Sequence, residues 1–191
     1  MVCVEPSAGM VEVARSKAPA ARFEVMRFED FDETGFGLAA CAQAHHWIDR
    51  ETRDERFARA LRPDGTAAIF FNAQYTPAET RTFFEAVQGV YREHAPPLAA
   101  LGIDNVPPTE NVFAARKDLF ADLQVRHHPW YWTLSTADYV GLMSTHSPHA
   151  ALVDDIRQRL LDGIAALIDS DFGGEVTEHY VAVLSLARRR S

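Results

Sequence analysis

From Met1 to Asn72 the chain alternates short apolar runs with segments of helical spacing, and that alternation restricts the fold more than any other feature. Met1–Val4 is apolar and partly β-branched, as a buried strand is. Ser7 is placed to cap a helix in which Met10, Val11, Ala14 and Ala18 share a face, with Pro19 as its stop. Arg22–Arg27 alternates polar with apolar residues, as an outer strand does, and the acidic stretch Glu29–Glu33 reads as a loop ending at Gly35. Gly37–Ala42 is a second buried strand. Arg50–Leu61 is an amphipathic helix with Phe57, Ala60 and Leu61 inward, closed by Arg62-Pro63-Asp64-Gly65, and Thr66–Phe71 is the next strand. Strand and helix in turn predict βαβ units around a parallel sheet, an α/β fold.

After Tyr75 the pattern changes. Thr80–His94 is predicted helical, with Phe83, Phe84, Val87 and Tyr91 on one face, and Ala95–Pro108 is Pro-rich with little periodicity. Phe120–Thr133 contains an aromatic strand. Thr136–Thr145 and Ala150–Ile168 are predicted helices, and Glu178–Arg188 a last strand. The expected organisation is a cofactor-binding core over 1–75, a helical and Pro-rich cover over 76–124, and strands and helices over 125–191 that complete the same domain.

A formal net charge of −8 argues against a broad nucleic-acid surface, since phosphate binding needs clustered Lys and Arg. The one basic run, Arg188–Arg190, reads as a solvated tail. Cys3 and Cys41 lie in apolar segments and read as reduced thiols of a cytoplasmic protein. No run reaches the roughly 18 apolar residues of a membrane span, and no secretory signal is visible after Met1. The expected partners are therefore small molecules, not nucleic acid or membrane.

Three stretches carry candidate chemistry. Glu5 follows the first strand, where nucleotide-binding α/β folds place an acid on the ribose hydroxyls, and Ser7 and Met10 open the helix beyond it. An acid in a turn before a helix is also an ordinary surface residue. Phe28-Glu29-Asp30 offers a backbone amide and a carboxylate to an adenine edge, although acidic loops are commonly just solvated. Ala42-Gln43-Ala44-His45-His46-Trp47 ends a strand on the side where open α/β sheets bind ligands. His46 is a candidate base and Trp47 a flat face for substrate; both also suit simple packing at the mouth of a cleft. The pairs His45-His46, His127-His128 and His146/His149 lack zinc-type spacing with an acid or cysteine, so no metal is expected.

In this order the pieces resemble the class I S-adenosylmethionine-dependent methyltransferases, in the small-molecule branch called the methyltransferase type 11 domain. The resemblance runs from Val2 to about Asn72. It rests on Val4-Glu5-Pro6-Ser7 with Met10, on Phe28-Glu29-Asp30, on Gln43 to Trp47, and on Leu61-Arg62-Pro63-Asp64-Gly65. Ser144-Thr145-His146-Ser147-Pro148 is similar to a later stretch of the branch. The resemblance implies a Rossmann-like, mostly parallel sheet with an antiparallel last strand, and S-adenosylmethionine as cofactor. It implies Glu5 at the ribose, Ser7 and Met10 beside the adenosine, Phe28 and Glu29 at the adenine edge, and Ala42 and Gln43 by the methionine portion. His46 and Trp47 would face the methyl acceptor, with His46 the catalytic candidate.

The family's first strand, its glycine-rich loop and its first helix have no counterpart in the sequence. The expectation is therefore an N-terminally truncated enzyme with impaired cofactor binding. Leaving the ladder edges of two strands unpaired would cost on the order of 10 kcal/mol, comparable with a domain's whole stability of about 5–15 kcal/mol. Two other functions fit parts of the sequence. One is a non-catalytic module that binds partners, or itself, through exposed sheet edges. The other is a nicotinamide-dependent oxidoreductase, disfavoured by the absence of a Tyr-x-x-x-Lys hydride-transfer set.

Overall fold

Residues 1–99 and 107–191 are described by the computed structural model, in which Val2–Val4 form β1. Ser7 caps α1 (Ala8–Lys17), its side chain accepting from the Met10 N–H at 3.4 Å. The helix ends at Ala18, because Pro19 disfavours helical geometry in the residue before it. β2 (Arg22–Glu24) returns parallel to β1, Val2 opposite Arg22 and Val4 opposite Glu24. A second unit of the same kind follows: β3 (Phe36–Ala42), α2 (Arg53–Ala60) and β4 (Leu61–Tyr75), with β3 and β4 parallel.

The Arg62–Gly65 turn lies inside β4 as a bulge. Phe36 is opposite Leu61 and Leu38 is already opposite Thr66, so the register shifts between them. Asp64 in that bulge adopts φ +60°. The remaining elements are α3 (Arg81–His94), β5 (Phe120–Ser135), α4 (Thr136–Thr145), α5 (Ser147–Ala150), α6 (Asp154–Asp171) and β6 (Glu175–Arg189). Ser147–Ala150, between the two predicted helices, forms α5, in whose first turn Pro148 loses no hydrogen bond. The helix predicted from Ala150 starts at Asp154. Part of the Pro-rich stretch Ala95–Pro108 falls on residues 100–106, outside the described residues; Pro96–Leu98 is a 3-10 turn.

β1 and β2 form one sheet, and β3-β4-β6-β5 form another in that order. β6 runs antiparallel to β5: Arg188 pairs with Asp122 near one end at 3.6 Å, and Thr177 meets Thr133 near the other at 2.9 Å. The α/β, Rossmann-like class read from the sequence is the fold observed, including its antiparallel last strand.

The chain divides into two compact units. The first holds Met1–Phe71, Pro108–Arg126 and Val183–Ser191. Its core gathers Phe57, Leu61, Ile69, Phe113 and Phe120, with Phe113 and Phe120 in ring contact at 4.3 Å. Asn111 ties this unit together, donating from Nδ2 to the carbonyls of Gln124 and Leu186, each at 2.8 Å. The second unit holds Asn72–Pro107 and His127–Ala182, and its core packs α3, α4 and α6 around Phe83, Tyr91, Tyr139, Leu160 and Ile164.

Two expectations about burial are corrected. The strands at Met1–Val4 and Gly37–Ala42 were expected to be buried, yet no residue of β1 or β3 is, and Leu38 is 59% exposed. The helical face of Met10, Val11 and Ala14 buries only Val11, leaving Met10 63% exposed. The cause is pairing. Among the described residues β1 pairs only with β2 and β3 only with β4, so the outer edges of both strands are uncovered. Cys3 and Cys41 are free thiols, as expected, but each is only half-buried.

Candidate functional site

The candidate residues follow the carboxyl ends of β1, β2 and β3, and each is held by local chemistry. Glu5 leaves β1 with its backbone N–H donating to the Glu24 carbonyl at 3.1 Å. Its Oε1 accepts the Ser7 N–H at 2.8 Å, which closes the turn into α1. The carboxylate is thus aimed by the same turn that Ser7 uses to cap the helix. Met10, on the first turn of α1, is exposed.

The 3-10 turn Phe28–Asp30 is anchored on both sides. The Phe28 ring packs on Phe57 at 4.7 Å, so it belongs to the core of this unit. Glu29 accepts from the Arg27 guanidinium at 3.1 Å and from the Asp49 N–H at 2.9 Å, linking this turn to the loop after β3. The Arg27 hydrogen bond, followed by that from Asp49, holds the Glu29 carboxyl down at about 2.

Beyond β3, Gln43 adopts φ +52°, while its N–H donates to the Phe70 carbonyl at 3.0 Å. Left-handed backbone costs a non-glycine residue roughly 1–2 kcal/mol and concentrates at functional positions. His45–Trp47 then form a 3-10 turn. His46 and Trp47 lie on the surface with their rings 4.9 Å apart, and Trp47 is 74% exposed.

His45, not His46, turns inward. Its ring lies 6.1 Å from Phe57 and 6.2 Å from Phe113, and its Nε2 is buried without a partner. Burial first, then the Arg53 charge, pushes His45 down to about 4, so it is neutral at pH 7. Arg53 donates to the His45 carbonyl at 3.3 Å and stands 3.7 Å from Asp54, with Arg53 Nε and Asp54 Oδ1 otherwise unpartnered. Sequence reasoning missed this group. The available signal was the phase of the amphipathic helix, which puts Arg53 one turn before Phe57.

These shifts set a pH dependence. Glu29 is depressed below its ordinary 4.5, so its stabilisation is complete above 4.5 and is lost as pH falls through about 2. His45 is depressed below 6.5, so it favours the fold above 6.5 and opposes it increasingly as pH falls toward 4. Chemical unfolding at stepped pH should show stability falling from 6.5 to 4, and His45→Phe should flatten that slope. An unchanged slope in the variant excludes His45 as its source. In NMR, the Asp49 amide should titrate with a midpoint near 2, and Glu29→Gln should abolish the transition.

Residues 1–69 match a family model described as a methyltransferase domain. No curated protein matches the sequence. Solved structures match nearly the whole chain. A candidate methyltransferase of Bacillus halodurans C-125 is 15% identical, with a TM-score of 0.55, over 100% of this chain and 83% of its own. The YcgJ protein of Bacillus subtilis is 19% identical, with a TM-score of 0.56, over 100% and 82%. A candidate type II methyltransferase of Anaeromyxobacter dehalogenans is 18% identical, with a TM-score of 0.63, over 98% and 79%. At these identities the neighbours speak for the fold alone. Every candidate residue from Glu5 to Trp47 falls inside the matched stretch, residues 1–69. No described helix is long and apolar enough to cross a membrane.

Proposed function

We propose that the chain transfers a methyl group from S-adenosylmethionine to a small molecule. The observation that carries this reading is Gln43, held at φ +52° at the carboxyl end of a parallel strand inside the methyltransferase-domain match. That conformation turns the chain abruptly after β3, where open α/β sheets receive ligands.

The residues present fit the cofactor. Glu5 uses Oε1 for the Ser7 N–H, and its second oxygen suits a ribose hydroxyl donor. Met10 presents uncovered apolar surface beside it, suited to the flat adenine, while Ser7 fixes the start of α1. Ala42 and Gln43 offer exposed backbone and amide groups to the polar methionine end. Glu29 is engaged by Arg27 and Asp49 and Phe28 by Phe57, so these two serve the adenine edge through the backbone of the turn they brace. When bound, the cofactor supplies an electrophilic methyl group on a sulfonium. His46, exposed beside Trp47, would accept a proton from the acceptor, and the Trp47 face would hold it. Isothermal titration with S-adenosylhomocysteine tests the reading: saturable heat is expected, and none at millimolar ligand defeats it.

A second reading is favoured by the uncovered edges of β1 and β3 and by Leu38 at 59% exposure. An open ladder edge with apolar side chains suits addition of a strand, here from a second copy of the chain. Light scattering should then show mass rising with concentration, whereas a monomer at all concentrations removes this alternative.

A further inference from the structure

We infer that the second unit contains a ligand pocket of its own, built for an uncharged molecule the size of one six-membered ring carrying a hydroxyl group. The pocket has a volume of about 130 Å³, close to the roughly 150 Å³ cavity that accepts benzene. Phe84 and Val87 of α3 and Met143 of α4 supply apolar wall. Polar groups converge on this space from several elements: Tyr91 of α3, Gln74 of β4, Tyr139 of α4, and His146 and His149 around α5. A pocket of mostly apolar wall with a few convergent polar groups is the general form of a small-molecule site.

His149 is the centre of the polar side. It is 6% exposed, its Nε2 lies 2.8 Å from the Tyr91 hydroxyl, and its Nδ1 is buried with no partner among the described residues. Unmet hydrogen-bonding capacity in a buried side chain at a pocket wall is what a polar occupant satisfies. The Tyr91 hydroxyl also lies 3.8 Å from the Met143 sulfur. The Ser144–Pro148 stretch singled out in the sequence builds this wall through His146 and Pro148.

Charge decides which molecules are refused. Among the described residues, no lysine, arginine, aspartate or glutamate lines the pocket. Burial pushes His146 and His149 below their ordinary range, so neither offers a positive charge at pH 7. Behind the lining lies Glu178, 7% exposed, its carboxyl accepting from Gln74 Nε2 at 2.7 Å. A buried carboxyl group behind an uncharged wall disfavours an anionic occupant.

The test uses the full chain with histidine side chains labelled for NMR, and two probes of similar size, benzyl alcohol and benzoate. Benzyl alcohol should move the His146 and His149 signals saturably in the millimolar range ordinary for ligands of this size, leaving His45 unmoved. Benzoate should bind at least about 10-fold more weakly. His149→Phe, which keeps a ring in place, should weaken the response at His146 about 10-fold while circular dichroism stays unchanged. The inference is overturned if benzyl alcohol fails to move those signals saturably or if benzoate binds as tightly. Unchanged affinity in a folded His149→Phe also overturns it.

Discussion

Gly65→Ala should lower the thermal unfolding midpoint by about 4–12 °C, equivalent to about 2–3 kcal/mol in a chain of this size. The reason is local. A Cβ at position 65 would stand 2.9 Å from the Arg62 carbonyl oxygen, 2.9 Å from the Phe36 carbonyl oxygen and 3.1 Å from a Leu61 methyl. The two oxygens belong to backbone fixed by the register shift between Phe36 and Leu38, so neither can swing aside like a side-chain tip. Relief requires opening the bulge, and the bulge lets Leu61 pack with Phe57 while Thr66 begins its pairing with Leu38. Gly37→Ala is the matched control. Its Cβ would meet only the Arg62 side chain, at 3.5 Å, and should change stability by no more than about 0.5 kcal/mol. Equal midpoints for the two variants would refute the argument.

Much of this was legible because local and global preferences agree. Ser7 caps α1, Pro19 ends it and Phe57 faces inward, since each is decided within a few residues of sequence. What escaped depends on distant parts of the chain. His45 and His46 are chemically alike, and Phe113 helps decide which one is buried. Leu38 reads as core, yet it is exposed on a strand that pairs on one edge only among the described residues, which no property of Leu38 encodes. Gln43 was legible as a candidate but its left-handed backbone was not, because glutamine carries no preference for that region. The packing of Phe28 on Phe57 and the link from Glu29 to Arg27 and Asp49 were not legible, since Phe57 and Asp49 are distant in sequence.

Loss of the Glu5 carboxylate should weaken S-adenosylhomocysteine binding about 10- to 100-fold, the range expected when hydrogen bonds to a charged group are removed. Glu5 is the one candidate whose position and chemistry both point to the ribose. It stands one residue beyond β1, its backbone is fixed by the Glu24 carbonyl, and one carboxylate oxygen is aimed by the Ser7 N–H. Because that hydrogen bond also closes the turn into α1, Glu5→Ala alone would mix lost binding with a loosened helix start. Glu5→Gln separates them. Its amide oxygen still accepts the Ser7 N–H and keeps the turn, while the charge proposed to face the ribose is gone. The expected result is an unfolding midpoint near that of the parent for Glu5→Gln, with affinity lower by about 10-fold. Glu29→Gln gives the complementary pattern. Its carboxylate is spent on Arg27 and Asp49, so it should lose stability near neutral pH while keeping most of its affinity. If both Glu5 variants bind as the parent does, the ribose assignment is wrong even where methyl transfer is observed. If Glu29→Gln loses affinity as strongly as Glu5→Ala, the Phe28–Asp30 turn contacts the cofactor directly, and the division of labour between the two acids fails.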